Sequence, residues 1–125
     1  MVVVDSSGWI EFYKGGPDGA RFQPAMQPGK MIVPSIVVCE IQRFVLGRGS
    51  TDSFQKGLQA LFRHSIADLT AELATFAAQL GVKHKLALAD SIIYATARAH
   101  SATLWTMDSH FEGLPGVRYI KPGKK

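Results

Sequence analysis

The sequence predicts an α/β fold, a three-layer α/β/α sandwich around a mainly parallel sheet of about five strands. Short β-branched and apolar runs alternate with longer segments of helical periodicity, an order typical of βαβ units. The run Val2–Val4 is apolar throughout, as expected for a strand buried on both faces. Because 46% of the 125 residues are hydrophobic, the chain has enough apolar side chains for one core, and we expect a single domain over residues 1–125.

The predicted strands are short and each of the first four is followed by a helix or a turn. Between Asp18 and Lys30, prolines and several glycines predict at most a short helical turn. The predicted strands are Val2–Val4, Met31–Val33, His64–Leu69, Thr103–Met107 and Val117–Ile120.

Hydroxyl residues and glycines predict where the helices begin and end. Ser6 or Ser7 is expected to cap the first long helix, and Ser35 the next. Thr70 is expected to cap a helix that ends at Gly81, which makes the following VKHK a basic linker. The stretch LALADSIIYATARAHSATL then predicts a helix leading into a strand.

The composition indicates in which cellular compartment the protein is expected and which partners it is expected to lack. Cys39 is the only cysteine, so no disulfide can form within the chain and a reducing compartment is expected; its apolar neighbours predict a buried thiol. The VVV run is too short for a signal-peptide core, and no apolar run reaches the roughly twenty residues of a membrane span. We therefore expect a cytoplasmic protein without a membrane partner.

The chain is basic, with a formal net charge of +4. A basic domain favours polyanionic partners, although the same charge can simply form a solvated surface. Lys14, Arg43, Lys83 and Lys85 are expected near the carboxyl edge of the sheet, as candidate phosphate contacts or as ordinary surface charges.

Four carboxylates are expected to meet at that edge. Asp5 and Asp108 follow apolar strands, and in a parallel sheet all strand ends lie on one side. Glu40 and Asp90 lie near the beginnings of helices that run back from the same side, where open α/β sheets bind ligands. Alone, Asp90 would be interpreted as a helix cap; with three companions it becomes a candidate ligand.

The chemistry of such a cluster points to a hard cation. Neighbouring carboxylates repel one another unless a cation neutralises them. Oxygen ligands favour Mg²⁺ or Mn²⁺ over zinc, and such an ion can activate water for attack on a phosphodiester.

The sequence resembles the PIN-domain ribonucleases, and within them the VapC-type toxins of bacterial toxin–antitoxin pairs. The resemblance covers nearly the whole chain, and its four motifs occur in the family's order. It implies a metal-dependent endoribonuclease that cleaves single-stranded RNA and forms a homodimer held inactive by a cognate antitoxin. The motifs are VVVDSS, IVPSIVVCEI, LALADSIIYATA and TLWTMDSHF.

The resemblance also implies roles for individual residues. Its metal ligands for Mg²⁺ or Mn²⁺ are Asp5, Glu40, Asp90 and Asp108. Thr106 matches a hydroxyl two residues before the last acid, where it would orient that acid or a water, and Ser6 is a candidate for the same role or a simple capping hydroxyl.

The chain departs from the family pattern in two places. The stretch from Gly15 to Gly29, rich in glycine and proline, is less helical than the family leads one to expect, and the surface for partner or substrate binding is expected to differ there. The second departure follows the last acid. Many relatives carry a further acid where this sequence has Ser109 and His110, and a second metal position is therefore in doubt. His110 is interpreted as a histidine in a surface turn, with contact to a metal-bound water as the alternative.

Other functions fit less well. A phosphoacceptor receiver domain needs a pair of acids after its first strand, but here Asp5 is followed by Ser6. An aspartyl-phosphate phosphatase needs a second acid two residues after the first, and Ser7 occupies that position. The remaining alternative is a non-catalytic PIN-like scaffold that binds RNA or protein. Clustered like charges argue against it, because such a scaffold gains nothing from them.

Overall fold

A computed structural model describes residues 1–49 and 52–123. Within these residues the chain alternates between five short strands and six α-helices. The strands are β1 (Val2–Val4), β2 (Ile32–Pro34), β3 (Ser65–Ala67), β4 (Thr103–Thr106) and β5 (Val117–Tyr119). The helices are α1 (Ser6–Lys14), α2 (Pro17–Ala20), α3 (Ser35–Gly47), α4 (Asp52–Leu61), α5 (Ala71–His84) and α6 (Leu88–Ala99).

All strand pairs are parallel. β1 pairs with β4 and β4 with β5, while β2 pairs with β3. A single parallel bridge between Val2 and Met31 joins the two ladders, so the strand order across the molecule is β3, β2, β1, β4, β5. The predicted parallel sheet of about five strands is confirmed.

The strand order places helices on both faces. Successive connections from β1 to β2 to β3 step one way, and the connection from β3 to β4 steps back past β1. Because such crossovers are right-handed, the first group of helices covers one face and α5 with α6 the other. In agreement, α1 contacts α3 and α4, and α5 packs along α6. The predicted three-layer fold is confirmed, and the order reverses between β1 and β4, where such sheets form a crevice.

The core is densest around β1 and α6. Val3 and Val4 are fully buried, and so is the segment 91–97 in the middle of α6. The hydroxyl of Tyr94 donates to the carbonyl of Pro115 at 2.7 Å, which satisfies the polar end of a buried ring. The first turn of α6 therefore belongs to a rigid helix whose middle is packed into the core.

Several predicted helix boundaries were wrong. Asp5, not Ser6 or Ser7, caps α1, and its side chain accepts a hydrogen bond from the amide of Gly8. Ser35 is the first residue of α3, after Pro34 at the cap position, and its hydroxyl accepts instead from the amide of Leu69 at 3.2 Å.

The end of α5 also differs from the prediction. The helix continues through Gly81 to His84, so the first three residues of VKHK are helical, and Lys85 is the left-handed residue that ends the helix. Gly81 serves close packing, since a β-carbon there would lie 2.3 Å from Oγ of Ser91 on α6. Thr70 caps α5 as predicted, accepting from the amide of Leu73.

Cys39 is exposed, which contradicts the predicted buried thiol. The buried positions of α3 are Val37, Ile41 and Val45. They repeat every four residues and define one face, and Cys39 lies off that face despite its apolar neighbours in sequence.

The segment after Gly15 is more ordered than predicted. It contains α2 and a 3₁₀ turn at Gln23–Ala25, and Phe22 and Ala25 are buried in the core. Gly19 allows this packing, because a β-carbon there would lie 2.1 Å from the carbonyl oxygen of Glu11. In the described part of the chain, no helix is long and apolar enough to cross a membrane.

Candidate active site

Asp5 occupies the junction between β1 and α1 and is almost fully buried, with 3% exposure. Its Oδ1 accepts from the amide of Gly8 at 2.9 Å. Its Oδ2 accepts from Oγ1 of Thr106 at 2.7 Å and from Oγ of Ser7 at 3.0 Å. Burial raises the pKa of Asp5, and these three hydrogen bonds oppose that rise. The carboxylate is therefore fixed in one orientation.

Thr106 connects Asp5 to Asp108. While its hydroxyl donates to Asp5, the same oxygen accepts from the amide of Asp108 at 2.9 Å. The predicted orienting role of Thr106 thus has a geometric basis, and it reaches the first acid as well as the last.

Asp108 begins a short 3₁₀ turn over Ser109–Phe111. Its Oδ1 lies 2.9 Å from the amide nitrogen of His110 and 2.8 Å from the Nδ1 atom of the same residue. Sequence reasoning underrated His110, because its contact depends on how the turn folds back.

Asp90 is the third residue of α6, and Ala87, not Asp90, is the cap. An acid in the first turn suits the helix dipole without capping it. Ligand atoms of Asp90, Asp108 and His110 all lie within 4.8 Å of one another. Burial, and then the charges of Asp108, Asp5 and Glu40, raise the pKa of Asp90 to about 6.

Glu40 completes the group from α3. Its Oε1 accepts a hydrogen bond from Oγ of Ser6 at 3.0 Å, so Ser6 orients Glu40. Ser7, which the sequence analysis did not propose as a site residue, donates a hydrogen bond to Asp5. The charges of Asp5, Glu40 and Asp108 all act on the pKa of Asp90, so the four acids that the sequence singled out share one neighbourhood. Among the described residues, the group at mutual ligand spacing is Asp90, Asp108 and His110, without Asp5 and Glu40.

The sequence model of the PIN domain family matches residues 2–117. The chain belongs to the PIN domain family. Its PIN fold is similar to a chain of a toxin–antitoxin complex from Klebsiella pneumoniae, with 25% identity, a TM-score of 0.81, and coverage of 96% of this chain and 100% of that one. The predicted resemblance to the PIN domain family is confirmed.

Two more distant structures share the fold of this PIN domain. VapBC2 from Rickettsia felis, bound to a promoter DNA fragment, gives 19% identity and a TM-score of 0.74 over 96% of this chain and 98% of that one. Mycobacterium tuberculosis VapC20, a sarcin–ricin loop cleaving toxin, gives 16% identity and a TM-score of 0.74, over 98% of this chain and 100% of that one. A search of curated proteins gave no significant match.

The donor set of this PIN domain fits a hard divalent cation. A carboxylate offers about four lone-pair positions, and Asp5 uses three, which leaves one on Oδ1 for a ligand. Asp90 and Asp108 add oxygens at ligand spacing. Oxygen donors of this kind select Mg²⁺ or Mn²⁺, and such an ion would offset the repulsion that raises the pKa of Asp90.

The four predicted phosphate contacts lie at different places on the PIN domain. Lys14 is in the last turn of α1, paired with Glu11 at 3.3 Å. It lies roughly 13 Å along the helix from Asp5, given a rise of 1.5 Å per residue, so its predicted position at the carboxyl edge was wrong. Arg43, Lys83 and Lys85 are exposed, and Lys85 ends α5 just before α6 begins.

Proposed function

We propose that this protein is a metal-dependent endoribonuclease of the VapC toxin type, which hydrolyses phosphodiester bonds of single-stranded RNA. One observation carries the proposal: Asp5, Glu40, Asp90 and Asp108 converge where the strand order reverses, and three of them raise the pKa of the fourth. Asp5 is buried and the other three acids are half-buried. Such a group of like charges is costly without a cation, and it is therefore expected where a cation takes part in function.

The similar proteins support the nature of the substrate and the partner. VapC20 is a sarcin–ricin loop cleaving toxin, the Klebsiella chain comes from a toxin–antitoxin complex, and the Rickettsia chain comes from VapBC2 bound to a promoter DNA fragment. We propose RNA as the substrate, a cognate antitoxin as the inhibitor, and a homodimer as the assembly.

The chain's own residues prepare the reaction. A Mg²⁺ or Mn²⁺ ion bound by Asp5, Asp90, Asp108 and Glu40, directly or through water, would supply Lewis-acid chemistry and lower the pKa of water. Thr106 and Ser7 hold Asp5, and Ser6 holds Glu40. Because these bonds exist before any ligand binds, little reorganisation is needed when charge develops on the phosphate.

The test is cleavage by the purified chain freed of any antitoxin. We expect cutting of single-stranded RNA with Mg²⁺ or Mn²⁺ and none with EDTA. Asp5→Asn and Asp90→Asn should abolish cutting while the fold, followed by circular dichroism, is kept. Asp52→Asn, which neutralises an exposed acid at the start of α4, is the matched control and should cut like the parent.

Two results would contradict this function. Asn variants of the site that cut at the parental rate would refute the site, and cutting in EDTA would refute the metal dependence. A folded parent that binds RNA but never cuts it would favour the non-catalytic scaffold.

A further inference from the structure

Arg118, on the edge strand β5, lies over the aromatic ring of Trp105 on β4. Its guanidinium carbon is 4.5 Å from the ring centroid of Trp105, a distance typical of a cation–π contact. Trp105 and Arg118 are register partners on β4 and β5, so both side chains leave the same face of the sheet. Among the described residues, no carboxylate forms an ion pair with Arg118, and its N–H donors remain available to a ligand.

A cleft opens beside this pair. Its volume is about 380 Å³, within the range of small-ligand sites. Strand β5 and the residues after α2 form its walls, and the lining includes Arg21, Pro24, Trp105, Arg118 and Tyr119. Arg21 pairs with Asp18 at 3.4 Å, which leaves Arg118 as the cation of this cleft that can bind a phosphate. A cation beside aromatic rings is the combination that single-stranded nucleic acids bind, by phosphate contact and base stacking.

The cleft lies close to the carboxylates. The amide of Ile120, just after β5, donates to the carbonyl of Thr106 at 2.7 Å, and Thr106 donates to Asp5. Ile120 itself lines the cleft. Because β5 pairs with β4 and Ile120 follows the carboxyl end of β5, this end of the cleft lies one strand beyond Thr106, and neighbouring strands are about 4.8 Å apart. The side chain of Arg21 donates to the carbonyl of Lys121 and holds the chain after β5 against α2.

We propose that this cleft is a nucleotide subsite, in which Arg118, positioned over the ring of Trp105, binds a phosphate of the RNA strand next to the one that is cut. The subsite rests on the proposed nuclease function and adds to it a place where the strand is gripped outside the metal site. Trp105 removes much of the rotational freedom of the guanidinium before RNA arrives. Arginine suits this role because its planar fork stacks on a ring and binds phosphate with two parallel hydrogen bonds.

The test measures binding without cutting, in the Asp90→Asn background with a fluorescently labelled single-stranded RNA. We expect Arg118→Ala to weaken binding about tenfold, the lower part of the range for loss of one stacked or charged contact. The slope of log K against log salt should fall in magnitude by about 0.7, which corresponds to one phosphate contact on a single strand. Arg118→Lys keeps the positive charge but loses the planar guanidinium, so its RNA affinity should lie between that of the parent and that of Arg118→Ala.

A second arginine provides a matched control. Arg48 also lies over an aromatic ring, 5.0 Å from the centroid of Phe44, but at the far end of α3. Arg48→Ala removes the same charge and the same kind of contact, and it should leave RNA affinity and salt slope unchanged.

The outcomes separate the subsite from the nuclease function. If the parent cuts RNA and Arg118→Ala binds it like Arg48→Ala, the subsite is refuted and the nuclease function stands. Equal losses in both arginine variants would also refute the subsite, since charge alone would explain them. If the parent neither cuts nor binds RNA, the nuclease function fails and the subsite fails with it.

Discussion

The hydroxyl of Thr106 donates to Oδ2 of Asp5 at 2.7 Å and accepts from the backbone amide of Asp108 at 2.9 Å. One buried oxygen thereby sets the position of two acids that lie more than a hundred residues apart in the chain. Thr106 is fully buried, so water cannot replace it. It is a positioning residue: it acts on the site through Asp5 and Asp108.

We predict that Thr106→Val lowers both stability and metal affinity. Valine keeps the shape but removes the donor to a buried carboxylate, a loss that costs about 2 kcal/mol. Thr106→Ser keeps the hydroxyl and should restore Mn²⁺ affinity, although the lost methyl group lowers stability. Urea denaturation and calorimetric titration with Mn²⁺ would measure the two effects. A valine variant that binds Mn²⁺ like the parent would show that the hydroxyl does not orient the acids.

Asp90 gives a prediction about stability and pH. An unperturbed aspartate loses its proton near pH 3.8, whereas folded Asp90 holds it up to about pH 6. The folded state therefore binds more protons over this interval, and the free energy of unfolding falls as the pH rises through it. In metal-free protein, Asp90→Asn should raise Tm at pH 7.5 and have much less effect at pH 4.

The control for this prediction is Asp52→Asn, which should change Tm little at either pH. Adding Mn²⁺ to the parent at pH 7.5 should raise its Tm, since the cation offsets the same repulsion. If Asp90→Asn instead lowered Tm at pH 7.5, the charges around Asp90 would not be a source of instability.

The same pKa bears on metal affinity. A cation and a proton compete for Asp90, so affinity should be constant above about pH 6 and fall below it. One competing proton predicts affinity about tenfold lower one pH unit below that value. Titration with Mn²⁺ between pH 5 and 7.5 would show this. A pH-independent affinity would place Asp90 outside the ligand set.

The sequence was sufficient to predict the meeting of the four acids, because that meeting follows from strand direction. Asp5 and Asp108 end parallel strands, and Glu40 and Asp90 lie near the starts of returning helices. What it could not predict were contacts that depend on side-chain placement across the fold. The bonds of Ser6 to Glu40 and of Ser7 to Asp5 are of this kind.

The exposed Cys39 and the longer α5 show a second limit of sequence reasoning. Apolar neighbours in sequence say little about which face of a helix is buried, and Gly81 marks close packing against Ser91 as well as it marks a helix end. Lys14 was misplaced because it lies in the last turn of α1, a helix that runs away from the carboxyl edge where it begins at Asp5.

Gly19 tests how tightly α2 packs on α1. A β-carbon at position 19 would lie 2.1 Å from the carbonyl oxygen of Glu11, whereas one at Gly47 would meet no atom within 4 Å. Gly19→Ala should therefore destabilise the protein by about 2 kcal/mol, a typical result of overpacking. Gly47→Ala, the control, should stay within about 1 kcal/mol of the parent, because alanine favours the helix. Equal Tm values for the two variants would show that α2 moves away freely.

His110 is either a histidine of a surface turn or a part of the metal site, and its effect on metal affinity distinguishes the two roles. Its ligand atoms lie within 4.8 Å of those of Asp90 and Asp108, and its Nδ1 contacts Asp108 although its side chain is 76% exposed. Imidazole suits Mn²⁺ better than Mg²⁺, which prefers oxygen. We predict that His110→Ala lowers Mn²⁺ affinity about tenfold, as for loss of a ligand's supporting partner, and Mg²⁺ affinity less. Ser109→Ala, an exposed neighbour, should change neither, and equal losses for both metals would mean that His110 only orients Asp108.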